Sequence, residues 1–359
     1  MLLIARKPNL TTIPVHKTEM LESVLAFPSQ VNHAFTLARS LTMDYDKISD
    51  IVVLGMGGSG IVGDYLRVLL RNSSLPIQVN KHSTPPKSIS KNTLVMAVSY
   101  SGKTQETLDA LDICVKAGAK VVLVTSKREL GSTHYEGKVP CITVPENGHS
   151  RASLGYMLVP LLYMLQDANI LKRIDRDITE TVEVLNQIKD ECKPEVPLKK
   201  NPARSLASEL SARFPIIYGE YNFTDAVALR WKQMLNENAK THCHYDTFPE
   251  LLHNEIEAWD EPKNNDQKYA LILLRDSLYE RETGLQERIA AAKYIVQQKS
   301  SIFELWSRGR SELARLLSLT YLGDLVSVYL ARAKGVDASK VRNIDLIKNL
   351  KIKELVADG

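Results

Sequence analysis

Cysteine is scarce: Cys114, Cys141, Cys192 and Cys243 are the four in 359 residues, and no two stand in a C-x-x-C spacing. That scatter excludes a disulfide framework and a paired-thiol metal module, and it fits a reducing compartment with thiols buried as small apolar residues. No apolar run in the sequence approaches the roughly 20 residues that span a bilayer. The opening Met1-Leu2-Leu3-Ile4-Ala5-Arg6-Lys7-Pro8 lacks the charged-then-apolar order of a secretory signal, so a cytoplasmic protein is expected. Charge of one sign is also in short supply. A net charge of +4, with no basic stripe interleaved with aromatics, argues against nucleic acid and leaves small anionic molecules as the expected ligands.

The length points to two domains, each able to bury a core. Residues 17 to 45 read as one or two amphipathic helices. From Ile51 the pattern becomes strand, loop, helix, with strands at Ile51–Leu54, Ile77–Val79, Leu94–Val98, Val121–Val124 and Cys141–Val144 and helices near Ile61–Leu70 and Glu106–Ala117. Such alternation means a parallel sheet covered by helices on both faces. The run 154–165 is apolar nearly all round and reads as a buried helix. Three prolines within 193–202 place a linker there, dividing the chain into residues 1–192 and 203–359. The second part repeats the order in outline, with strands at Phe214–Gly219, Tyr269–Leu274 and Ser301–Leu305 and a helix at Thr224–Asn236, but without Gly/Ser-rich loops.

Those loops carry most of the functional information. Gly55-Met56-Gly57-Gly58-Ser59-Gly60 follows the first strand, and Ser99-Tyr100-Ser101-Gly102-Lys103-Thr104 follows the third. Both lie at the carboxyl edge of a parallel sheet, where backbone N–H groups and helix N-termini converge on anions. Gly55, Gly57 and Gly60 also satisfy a dinucleotide fingerprint. That reading lacks its acidic ribose partner, since Val79-Asn80-Lys81-His82 stands at the end of the next strand. Hydroxyls from Ser59, Ser99, Ser101 and Thr104, with the N–H groups near Gly57 and Gly58, suit a phosphate monoester better.

The loops GMGGSG and SYSGKTQET resemble the sugar isomerase (SIS) domain. Together with HSRASLGY (His149–Tyr156), LNENAK (Leu235–Lys240) and HNEIEAW (His253–Trp259), they resemble the bifunctional phosphoglucose/phosphomannose isomerases of archaea and some bacteria. The match runs in order from about residue 50 to the C-terminus. It implies an α/β fold of two SIS-type, flavodoxin-like, doubly wound parallel-sheet domains, assembled as a homodimer. It also implies a cofactor-independent isomerase of glucose 6-phosphate, mannose 6-phosphate and fructose 6-phosphate. Another phosphosugar enzyme handling aminosugars, or a non-catalytic phosphosugar-sensing module, would share the loops.

Aldose–ketose isomerisation through an enediol needs a base near C1 and C2, a cation beside the developing oxyanion, and groups to open the ring. By resemblance, Glu237 is the base, Arg151 stabilises the enediolate, and His253, supplied by the neighbouring subunit, opens the ring. A lysine of the C-terminal helix Asn343–Val356 assists it. Lys348 fits the pattern best, with Lys351 on a neighbouring face. His242-Cys243-His244 and Asp246 offer zinc donor types. Ligands two apart rarely chelate alone and no second half-site is evident, so no metal is assigned; the enediol route needs none.

Overall fold

The computed structural model describes residues 18–37, 45–130, 135, 139–146, 148–260 and 268–349. Helices α1 (Glu19–Leu25) and α2 (Phe27–Leu37) come first, and Thr18 caps α1 by accepting the Leu21 N–H at 3.3 Å. There follow β1 (Asp50–Leu54), α3 (Gly57–Leu69), β2 (Ile77–Asn80), β3 (Thr93–Val98), α4 (Gln105–Lys116), β4 (Lys120–Thr125) and β5 (Cys141–Thr143). The strands are parallel in the order β2-β1-β3-β4-β5. Their near-continuous Val/Leu/Ile character reflects burial on both faces: every residue of β3 is buried. The strand order reverses between β1 and β3, and the two Gly/Ser loops leave the sheet at that crevice.

A 3-10 turn at Ser150–Ala152 leads into α5 (Leu154–Asp167) and α6 (Asp175–Cys192). The proline-rich stretch then packs down. Buried Asn201 caps α7 (Pro202–Leu210), accepting the Arg204 N–H at 2.9 Å and donating its amide to the Cys192 carbonyl at 2.9 Å.

The second sheet contains β6 (Phe214–Glu220), α8 (Asp225–Glu237), β7 (His244–Phe248), β8 (Tyr269–Arg275), α9 (Ser277–Thr283), α10 (Gln286–Val296) and β9 (Ser301–Trp306). Its parallel order β7-β6-β8-β9 repeats the first four strands of the first sheet. Here the crevice is filled from within. Asp276 caps α9, accepting from Leu278 and Tyr279 N–H at 3.1 and 2.8 Å, and pairs with Arg315, while Arg275 binds buried Glu280. An internal carboxylate stands where the first sheet leaves hydroxyls.

The chain closes with α11 (Glu312–Ala333) and α12 (Arg342–Asn349). By length and composition α11 could cross a membrane, but 94% of its most apolar stretch is buried. Ser311 caps it through the Ala314 N–H at 3.3 Å. Its apolarity is spent on one cluster that includes Met20 of α1, Leu158 of α5, Leu185 of α6, Leu206 of α7, Trp231 of α8 and Leu317 of α11. The two sheets therefore share a core. Sequence reading passed over α11, and also β7, whose residues His-Tyr-Asp-Thr-Phe are mostly polar, as suits an edge strand that among the described residues pairs with β6 alone.

Candidate active site

Helix α3 begins at Gly57, four residues before the expected Ile61, so Gly57 and Gly58 occupy its first turn with N–H groups free of intrahelical bonds. Glycine is required here by close approach. A Cβ on Gly60 would lie 2.6 Å from the Gly55 carbonyl oxygen, and one on Gly58 would lie 3.1 Å from the Arg151 Cα. The turn that could receive an anion thus rests directly on the backbone of Arg151.

Ser59 is buried at the seam of the two loops, accepting the Tyr100 N–H at 3.3 Å and donating to the Met157 sulfur at 3.6 Å. Ser99 is 1% exposed, and its hydroxyl has no hydrogen-bond partner among the described residues. A buried hydroxyl left unpaired is costly unless a ligand completes it. Ser101 accepts the Lys103 N–H at 3.3 Å and is half-buried. Thr104 is the N-cap residue of α4, yet its hydroxyl makes no cap bond to the helix. Thr107, in the first turn of α4, has a second buried, unpartnered hydroxyl that sequence reading did not single out.

Arg151, 5% exposed, joins three segments. Its Nε donates to Asn238 Oδ1 at 2.7 Å, and Nη2 donates to the carbonyls of Ala338 at 2.6 Å and Ser339 at 3.0 Å. Of the five N–H donors of a guanidinium, these bonds leave the two on Nη1. Nη1 faces Glu237, with its Oε2 at 3.8 Å. Glu237 is the last residue of α8, one position further along the helix than the expected end at Asn236. Burial raises its pKa, opposed by the positive charges of Arg151, Arg230, Lys240 and Lys348. The negative end of the α8 dipole acts in the same direction as burial. A carboxyl held above its ordinary pKa is a better proton acceptor once ionised.

Lys348, on α12, is thereby placed close enough to act on Glu237, and Asp345 of the same helix acts on Arg151. Lys351 lies outside the described residues. Burial and Arg151 together push the pKa of His149 down. Arg230 and Asp324, a buried pair joined at 2.6 and 3.0 Å, support the cluster from below, with Arg230 Nη2 also donating to the Arg151 carbonyl at 2.8 Å. Sequence reading missed this pair and Asn238. The available signal was Asp324, the one acidic residue in the apolar stretch 313–331, since buried charges are kept paired.

His253 is not brought to this cluster within one chain. It ends a 3-10 turn (Glu250–His253) beyond β7, is exposed, and its imidazole has no hydrogen-bond or ion-pair partner among the described residues. The stretch 242–246 does not converge as a unit either. Buried Cys243 donates to the Lys232 carbonyl, whereas His244, Asp246 and Glu255 bring ligand atoms within 4.8 Å of one another, with His244 Nε2 3.4 Å from Glu255 Oε2.

Fold and site define the class: a protein of two flavodoxin-like parallel sheets, the first with a crevice between two Gly/Ser loops beside the Glu237–Arg151 pair. Residues 45–155 match the family model of the SIS domain, and residues 199–350 match that of the bacterial phospho-glucose isomerase C-terminal SIS domain. A bifunctional phosphoglucose/phosphomannose isomerase from Caldicellulosiruptor bescii is 36% identical over 92% of this chain and 98% of its own. One of the same description from Aquifex aeolicus is 31% identical over 86% and 92%. Among solved structures, the C-terminal domain of glucosamine-fructose-6-phosphate aminotransferase from Francisella tularensis shares the fold. It matches at a TM-score of 0.68 and 16% identity, over 91% of this chain and 99% of that one. The chain belongs to the bifunctional phosphoglucose/phosphomannose isomerase family.

Proposed function

We propose that this chain is an aldose–ketose isomerase that interconverts glucose 6-phosphate and mannose 6-phosphate with fructose 6-phosphate. The observation that carries the reading is the Glu237 carboxylate, pKa raised by burial, 3.8 Å from the unengaged Nη1 of Arg151, whose own backbone lies against the Gly58 turn. The phosphate sits in the crevice between β1 and β3, on the N–H groups of Gly57 and Gly58 and the hydroxyls of Ser59, Ser99, Ser101 and Thr104. Lys348 and His253 assist opening of the sugar ring. Glu237 then takes the proton from C2 of the aldose and returns it to C1, while a hydroxyl proton passes from O2 to O1. Arg151 stabilises the enediolate oxygen in between. Either epimer at C2 leads to the same enediol, and rotation about C2–C3 presents either face of C2 to the one carboxylate.

In the same reading the chain divides at 193–202 into two SIS units, and two copies form a dimer. The exposed His253, without a partner among the described residues, supports its delivery to the second copy's site. The test is a coupled assay of fructose 6-phosphate formation from each aldose phosphate separately, with and without EDTA. Turnover of both aldoses supports the reading; turnover of neither refutes it.

A further inference from the structure

Four arginines are buried among the described residues: Arg151, Arg230, Arg275 and Arg315. Three are hydrogen-bonded to carboxylates, Arg230 to Asp324, Arg275 to Glu280 and Glu304, and Arg315 to Asp276. Arg151 differs. All three acceptors within hydrogen-bond distance of it are uncharged, namely the Asn238 side chain and the carbonyls of Ala338 and Ser339. The Glu237 carboxylate stands off at 3.8 Å.

Asn238 is fully buried, directly after Glu237, and its amide has a fixed orientation. Oδ1 accepts from Arg151 Nε at 2.7 Å, and Nδ2 donates to Ser327 Oγ at 2.9 Å. Ser327 Oγ in turn donates to the Asp324 carbonyl at 2.6 Å, so its only role toward Asn238 is acceptor. Flipping the amide would set donor against donor at Arg151 and acceptor against acceptor at Ser327.

We infer that Asn238 is a positioning residue for the reaction: an uncharged acceptor that holds the Arg151 guanidinium in place while leaving its charge available to Glu237 and to the oxyanion formed beside it. This rests on the isomerase reading. A carboxylate at the same 2.7 Å would hold Arg151 as firmly but would neutralise it. An apolar side chain would leave the charge free but unaimed. The charges facing Glu237 are those of Arg151, Arg230, Lys240 and Lys348, and Arg151 also feels Asp345 and adjoins His149. Weakening the Arg151 contribution therefore raises the Glu237 pKa, whether by a new negative charge or by displacement.

The experiment compares wild type with Asn238→Asp, Asn238→Ala and Ser327→Ala, measuring kcat, KM, the pH profile of kcat/KM and the melting temperature. Val296→Ala, a core truncation in α10 remote from the site, controls for general loosening. Asn238→Asp and Asn238→Ala should lower kcat by about tenfold or more with KM within about threefold, the pattern of a lost transition-state interaction. The acid limb of kcat/KM should shift to higher pH in both, and less so in Ser327→Ala. Val296→Ala should melt lower with its acid limb unmoved. A folded Asn238→Asp with wild-type kcat and acid limb overturns the inference, as does an equal limb shift in Val296→Ala. If neither Asn238 variant folds, Ser327→Ala decides, and an unmoved limb there overturns it. A wild type without isomerase activity overturns the functional reading and this one with it; an active wild type with unaffected variants overturns this one alone.

Discussion

Exchanging Glu237 for glutamine removes one proton acceptor and one charge while keeping the side chain's volume at the end of α8. A positioned general base contributes roughly 10²- to 10⁴-fold, so kcat should fall at least about a hundredfold, near 2.7 kcal/mol of barrier. Stability should move the other way. At an effective dielectric of about 20, unit charges 3.8 Å apart attract by about 4 kcal/mol, so Arg151 alone strongly favours the ionised form. The Glu237 pKa nevertheless stays raised, so burial outweighs that attraction and its allies. For a carboxyl with a raised folded-state pKa, the stabilising contribution is full below the unfolded-state pKa and is lost as pH rises through the folded-state value. Glutamine does not suffer that loss. The variant should melt at or above wild type at pH 8, with the difference shrinking toward pH 4. Two assays read this: exchange of solvent deuterium into C2 of the sugar phosphate, and melting curves at both pH values. Exchange at the wild-type rate would refute Glu237 as the base. A variant melting several degrees below wild type at pH 8 would refute the electrostatic argument.

The phosphate crevice predicts that Ser101→Ala and Thr104→Ala each raise KM by about 5- to 30-fold, from roughly 1 to 2 kcal/mol per lost charge-assisted hydrogen bond; inorganic phosphate should compete with substrate in the wild type. Unchanged KM in both variants would move the phosphate elsewhere. In the second sheet, burial and the neighbouring Glu280 push the Glu220 pKa up to about 9. As a carboxylate, its buried Oε2 has no donor among the described residues; protonated, it can donate to Glu280. Its stabilising contribution is thus present below the ordinary carboxyl range and lost as pH climbs toward 9. Glu220→Gln should therefore gain in melting temperature over wild type between pH 5 and pH 9, about the window set by ordinary and raised values, and a constant difference across it would count against the shared proton. For the dimer, co-refolded Glu237→Gln and His253→Ala chains should recover activity, because a hybrid has one site with both groups intact. No gain, with hybrids confirmed by mass, would exclude a site shared between chains.

The first sheet was legible in the sequence because its causes are local. Ile51–Leu54 and Leu94–Val98 are apolar without interruption because strands buried on both faces need no alternation, and each runs into a loop whose glycines and hydroxyls announce an anion. Sequence also singled out Arg151, Glu237 and Lys348, although 86 residues separate the first two (237 − 151). It stopped where distant segments decide. The helix α11 is apolar on nearly every side, so periodicity could not say which segments it packs against; its burial in one cluster with α1, α6, α7 and α8 decides that it joins the two sheets into one core. Polar β7 carries no strand signal of its own, because its pairing with β6 comes from the neighbour's backbone. Tertiary structure alone set Nη1 of Arg151 opposite Glu237, by spending its other donors on Asn238, Ala338 and Ser339 from two further segments. Sequence pattern specifies which residues turn inward and where an anion can sit. The aim and charge state of a buried arginine depend on acceptors that only the folded chain brings together.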